Sequence, residues 1–220
     1  MNIQIQPNLL WCRANDRAVF LNLSNQRYFM LRAMQATTFE KWCAGEPLTI
    51  KDLNALASVL IDCPSPASDW RQQLHPSLDF PRPVQCTRDI SEVSPNLNLV
   101  LMAFACHGIA RIGLKSASFS DLMRRLYDRK QARKEVSISC ELLRAVATFA
   151  MTTRLLRSSD RCLQTSLALA LFLAKLGHYP ELVIGVKTAP WAAHAWVQTP
   201  DLVLNDDAEG VRAFTPILVI

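Results

Sequence analysis

Cys162 and His194 are the two residues whose types and placement fit covalent chemistry together. Cys162 lies in SSDRCLQTSLALALFLAKLG, where an apolar helical pattern begins. Ser158, Ser159 and Asp160 are all N-cap candidates, which puts Cys162 in the first turn. Partial positive charge and free N–H groups at a helix start favour a thiolate. The same N–H groups could hold the oxyanion of a tetrahedral intermediate. Asp160 works against the thiolate, and Arg161 offsets it. His194 lies in PWAAHAWVQ, with Trp196 on the same face of an expected strand. A nucleophilic thiol needs a base, and the base needs an acceptor on its other nitrogen. Thr199-Pro200-Asp201-Leu202 reads as a turn that sends the chain back antiparallel past His194. A two-residue loop sets Asp207 opposite His194, whereas a three-residue loop or a bulge sets Asp206 there. Spacing alone leaves both open. The bland alternative is a small core cysteine and a packed core histidine that never meet.

Other candidates are weaker. Cys140 also sits near a helix start, after Ser137 and Ser139, but has no evident His partner. Cys106 and His107 are adjacent on one helix, so their side chains diverge by about 100°. His178 follows the capping Gly177 and reads as a surface residue, and His75 lies among prolines. Cys12, Cys43, Cys63 and Cys86 have no catalytic context. The seven Cys form no C-x-x-C pair, and the four His are too scattered for a metal site. With 6 Gly in the chain, neither a phosphate loop nor a dinucleotide fingerprint is present, so no cofactor is expected in this chain.

The elements that must position these residues divide into two styles. Three short β-like runs come first: Ile3–Cys12, Ala18–Leu23 and Arg27–Leu31. Asn15-Asp16 and Ser24-Asn25-Gln26 supply turns between them. In the second run Val19, Leu21 and Leu23 alternate with Ala18, Phe20 and Asn22, giving one apolar face. Helices are expected over Met34–Cys43, stopped by Gly45, and over Thr49–Ile61, with Thr49 as N-cap and Asp52 three places on. A small three-stranded sheet backed by helices is the winged-helix plan. Residues 63–96 hold six of the 12 prolines and read as a linker or extended crossover. The boundary falls near Asp79-Phe80, giving domains 1–79 and 80–220.

From Ser94-Pro95 the pattern turns helical: Asn96–Ile112, a basic amphipathic Ser120–Arg133, Ser137–Arg157, and a nearly all-apolar helix from about Arg161 to Leu176. Strand-like runs follow at Glu181–Lys187, Ala193–Thr199, Leu202–Asn205 and Thr215–Ile220. The fold class is therefore α+β, with a helical bundle packed on an antiparallel sheet in the second half.

Charge limits the partners. Residues 1–80 carry 7 basic and 7 acidic side chains, and residues 81–220 carry 17 and 12, so the net +5 is local. A neutral first half argues against a winged-helix DNA binder, and no nucleic-acid partner is expected. The basic pairs between Arg111 and Arg161 read as a solvated helix face. Leu99–Cys106 and Leu167–Ala174 fall well short of the roughly 20 residues a membrane span needs. The first residues lack a signal-peptide pattern, so the expected location is cytoplasmic, without membrane insertion.

The stretches DRCLQTSLAL, LVIGVKTAP, AHAWV and LND together resemble the transglutaminase-like leader peptidases of lasso-peptide biosynthesis, the B proteins of microcin-type clusters. FLNLSNQRYFML is similar to the leader-recognition module of ribosomal peptide maturases, which has a winged-helix fold. The resemblance covers both ends of the chain and leaves 63–160 unmatched. It implies that Cys162 is the nucleophile, His194 the base and Asp206 the orienting acid. It further implies that a precursor's leader adds as a strand along Arg27, Tyr28, Phe29, Met30 and Leu31, with side chains set against Leu53 and Leu56 of the neighbouring helix. Cleavage would free the core for macrolactam formation by an asparagine-synthetase-like cyclase, with any ATP used through that partner. The competing expectation is a non-catalytic carrier that binds the precursor and only presents it.

Overall fold

The computed structural model describes residues 3–62, 74, 80–87, 96–116, 119–131, 138–156 and 161–220. The chain opens with β1 (Ile3–Ile5), β2 (Leu9–Ala14), β3 (Arg17–Asn22) and β4 (Arg27–Met30), followed by α1 (Ala33–Cys43), α2 (Ile50–Ala55) and β5 (Leu60–Asp62). Asn15 and Asp16 both take positive φ, 47° and 61°, as a two-residue hairpin between twisted strands requires. Strands β2, β3 and β4 form an antiparallel sheet in that order.

The first expected strand is two. The chain turns at Gln6, where Leu9 N–H donates to Gln6 O at 2.9 Å, so β1 leaves the sheet and pairs with β5 instead. The second expected helix is also shorter. Thr49 and Asp52 cap each other at its start, yet α2 ends at Ala55. Leu56, Val59 and Leu60 keep the burial that helical spacing implied, but they lie in a turn and a strand.

Both faces of the three-stranded sheet are buried, not one. Leu9, Trp11, Phe20 and Phe29 pack with Phe39 and Trp42 of α1. The Phe20 ring lies 5.1 Å from Phe29 and 5.1 Å from Phe39. Such pairs contribute about 0.5–1.5 kcal/mol each beyond area burial. On the opposite face Leu10, Cys12, Ala14, Val19, Leu21 and Leu23 join the core of the second half.

That half contains β6 (Gln85–Cys86), α3 (Leu97–Ser116), α4 (Phe119–Gln131), α5 (Cys140–Leu155), α6 (Cys162–Lys175), β7 (Glu181–Thr188), β8 (Trp191–Gln198), β9 (Leu202–Val203), α7 (Ala208–Arg212) and β10 (Thr215–Val219). The sheet order is β10-β7-β8-β9-β6. Four strands are antiparallel, and β6 adds in parallel to β9, so the expected antiparallel sheet is mixed at one edge. Helix α6, buried over Ser166–Leu173, packs on β8 and is flanked by α3 and α5. Strand β2 lies against β10 and β7, which brings the two halves face to face.

Leu99–Cys106 is part of a longer helix than the sequence implied. Residues 97–115 of α3 are long and apolar enough to cross a membrane, with mean hydropathy 1.6. No other described helix passes that test. Ala103, Cys106, His107 and Ala110 face the core, while Leu97, Leu101, Ile109 and Ile112 are exposed. The expected Ser94-Pro95 cap and most of the proline-rich segment lie outside the described residues.

Candidate active site

Helix α6 starts at Cys162, with Arg161 as its N-cap. Arg161 offers no side-chain hydrogen bond to the first turn. The expected caps Ser158, Ser159 and Asp160 lie outside the described residues, and none holds the N-cap position. Among the described residues no capping side chain takes the first-turn donors, and the backbone N–H of Leu163 donates to the Cys162 sulfur. The Ala195 N–H on β8 donates to it as well.

His194 comes from the middle of β8, paired with Gly185 of β7. Its ring lies between Trp196, 6.2 Å away and stacked, and Phe214, 5.2 Å away. A Cβ at Gly185 would come within 2.8 Å of the Trp196 ring and 2.9 Å of Phe214 Cβ. Glycine is thus needed there for the aromatic wall beside His194 to close. Trp196 is fixed in turn by its Nε1–H, which donates to Gln198 Oε1 at 2.6 Å.

The loop after β8 has two residues, and the pairing Gln198↔Val203 follows from that. Continued unchanged, this register would put Asp207 opposite His194. It stops at Leu204, whose N–H donates to Val197 O. The next donor on β8, Val197 N–H, bonds the Asn205 side chain at 2.7 Å, and Asn205 Nδ2 donates to Ser166 Oγ at 2.9 Å. Ser166 Oγ donates to Ala195 O at 2.8 Å. This clasp takes the chain out of register, so Asp206 Oδ2 meets His194 Nε2. Asp207 instead caps α7, accepting from Gly210 N–H at 3.0 Å. Ser166 and Asn205 carry little signal in the sequence beyond a hydroxyl one turn after Cys162 on an otherwise apolar helix.

Cys162, His194 and Asp206 are thereby brought together. A hydrogen bond from His194 and the two N–H donors hold the Cys162 thiol below its ordinary pKa, against the opposing effect of burial. The Asp206 and Cys162 hydrogen bonds raise His194 to about 9. Opposite shifts on contacting partners favour a thiolate–imidazolium pair at neutral pH. Residues 109–219, from the middle of α3 to the end of β10, match the family described as the transglutaminase-like superfamily. The chain belongs to the transglutaminase-like superfamily. No curated protein and no solved structure matches it.

All three residues fall within the transglutaminase-like region. The other candidates stay apart from it in role. Cys140 is exposed at the start of α5, whose N-cap Ser139 accepts from Leu142 N–H at 3.1 Å. His107 is a core histidine, stacked on Phe149 at 4.6 Å and bonded through Nε2 to Thr153 at 3.2 Å, and burial lowers its pKa. His178 is half-buried rather than on the surface, and its N–H donates to Leu173 O. His75 and Cys63 lie outside the described residues. Among the described residues no group of three His, Cys, Asp or Glu could hold a metal ion.

The expected peptide-docking residues separate. Arg27, Tyr28, Phe29 and Met30 form β4, which pairs on one side only, with β3, among the described residues. Leu31 and Leu53 are half-buried. Leu56 is fully buried against the Phe20–Phe39 cluster and belongs to the core, out of a docked peptide's reach.

Proposed function

We propose that this protein is a cysteine peptidase that binds the leader of a ribosomally made lasso-peptide precursor and removes it. The observation that carries the reading is the Cys162–His194–Asp206 contact in a chain of the transglutaminase-like superfamily, which includes cysteine peptidases and transferases.

The chemistry follows from the ion pair. The Cys162 thiolate attacks the scissile carbonyl, and the first-turn N–H groups of α6 stabilise the oxyanion. The His194 imidazolium gives its proton to the leaving amine, which departs as the new N-terminus of the core. The leader remains as a thioester on Cys162. His194, now neutral, takes a proton from water as it attacks, and the leader leaves with a free carboxylate. Asp206 orients the ring and stabilises its charge throughout.

The leader docks by adding a strand to the outer edge of β4, a mode in which main-chain hydrogen bonds give affinity. The one-sided pairing of β4 supports this, as do the exposed Met30, Met34 and Ile50 on β4 and at the starts of α1 and α2. The partner that uses the freed amine is an asparagine-synthetase-like cyclase, and ATP enters through it and not through this chain.

The test is mass spectrometry of a lasso-peptide precursor incubated with the protein, with and without cyclase. Cys162→Ala is expected to lower leader removal by about a thousandfold or more while leader affinity stays within twofold. Precursor that binds but is never cut by the unaltered protein points to the carrier instead.

A further inference from the structure

The half that carries β4 does more than sit near the thiol. Register pairs Tyr28 with Leu21 and Met30 with Val19, so Tyr28 lies on the face of the sheet turned toward the second half. Its ring meets that of Trp191 edge to face, with centroids 5.8 Å apart. Trp191 opens β8, three residues before His194. On the same side of β8, Ala193 is exposed and Ala195 is buried, so the face that Trp191 starts continues through two small side chains to the residue whose N–H donates to the Cys162 sulfur. Burial, with smaller contributions from the Cys162 and Cys12 sulfurs, pushes the Tyr28 hydroxyl up to about 12, which keeps it neutral. Trp191 nevertheless remains 45% exposed, which leaves much of its indole open to solvent.

We infer that Tyr28 and Trp191 form a substrate subsite that takes an apolar or aromatic side chain of the peptide on the leader side of the scissile bond. This rests on the proposed leader docking. A leader added to β4 is N-terminal to the cut, and Tyr28 of β4 reaches Trp191 on the strand that carries His194. The exposed indole surface of Trp191, braced by the Tyr28 ring, offers an apolar group an aromatic face. The neutral Tyr28 hydroxyl is a donor available to a peptide carbonyl. The docking strand therefore supplies one wall of the cleft, and Tyr28 is a positioning residue of the thiol site.

The test needs no knowledge of the natural precursor. Benzyloxycarbonyl-Phe-Ala chloromethyl ketone presents an aromatic side chain on the acyl side, and a nucleophilic thiolate displaces its chloride. Iodoacetamide reads thiol reactivity alone. Rates at Cys162 are followed by intact mass and peptide mapping, with the benzyloxycarbonyl-Ala-Ala reagent as the apolar-poor control. The unaltered protein is expected to prefer the Phe reagent by about tenfold, the discrimination a well-formed apolar pocket gives. Tyr28→Ala and Trp191→Ala should each remove most of that preference while iodoacetamide rates stay within twofold. Tyr28→Phe should keep it, which separates the aromatic wall from the hydroxyl and guards against a folding artefact. An unaltered protein without the preference, or one whose preference survives both alanine variants, overturns the subsite. A Cys162 no more reactive toward iodoacetamide than Cys140 overturns the peptidase reading itself, so the two failures are distinct.

Discussion

Helices α5 and α6 both begin at a cysteine, Cys140 and Cys162, and both cysteines stand at the positive end of the helix dipole. Only one is built into a site. Ser139 caps α5 and takes the Leu142 N–H, and Glu141 adds an acidic group to the first turn. Arg161 leaves α6 without a side-chain cap, and no acidic residue enters its first turn. The larger difference lies outside either helix. Strand β8 brings an imidazole and a backbone N–H to Cys162, whereas Cys140 faces solvent. A helix start is thus a weak cue, and the facing strand decides.

The comparison breaks first at His194. His194→Ala should lower the iodoacetamide rate of Cys162 at pH 7 by about tenfold or more and bring it toward that of Cys140, as followed by peptide mapping. Equal rates before and after the change would show that α6 alone activates the sulfur.

A second test separates the two adjacent carboxylates. Leader removal should follow a bell-shaped pH profile. Its acid limb reflects protonation of the lowered Cys162 thiol, and its alkaline limb reflects loss of the His194 proton near pH 9. Asp206→Asn removes the group that raises His194, so the alkaline limb should move to lower pH and the rate fall about a hundredfold. Asp207→Asn keeps a capping side chain at α7 and should leave both limbs in place. An unshifted limb in Asp206→Asn would falsify the orienting role.

The smallest effect sharpens the other side. Ser139→Ala removes the α5 cap and should cost about 1 kcal/mol of stability in urea unfolding. The Cys162 alkylation rate should not change. A gain in Cys140 reactivity on freeing the Leu142 N–H would measure what an open first turn contributes by itself.

Cys162 and His194 were legible because each stands at a change of pattern, one at the start of an apolar helix and one within a strand. Spacing leaves their acidic partner open between Asp206 and Asp207, and only the resemblance implies Asp206. Main-chain register from the Pro200-Asp201 turn points to Asp207, because it takes no account of a side chain that replaces it. Asn205 does that by taking the Val197 N–H. The β1–β5 ribbon escaped notice for a related reason. Leu56, Val59 and Leu60 satisfy helical spacing whether the chain coils or extends, and only pairing with Ile3–Ile5 makes the last of them a strand. Phe20 looked like the back of a one-sided sheet, since alternation between Phe and Val or Leu carries no contrast when both faces are covered. Tyr28 and Trp191 are distant in sequence, and nothing local announces that they meet.

The double-sided burial of the β2–β3–β4 sheet also constrains how such a protein can be taken apart. Cutting the chain near residue 80 would leave Leu10, Val19, Leu21 and Leu23 bare on one fragment and strip the matching cover from β7 and β10 on the other. Exchanging the first half for another therefore means carrying over its inner aliphatic surface unchanged. On the proposed function, new specificity has to be written on the outer edge and at Tyr28.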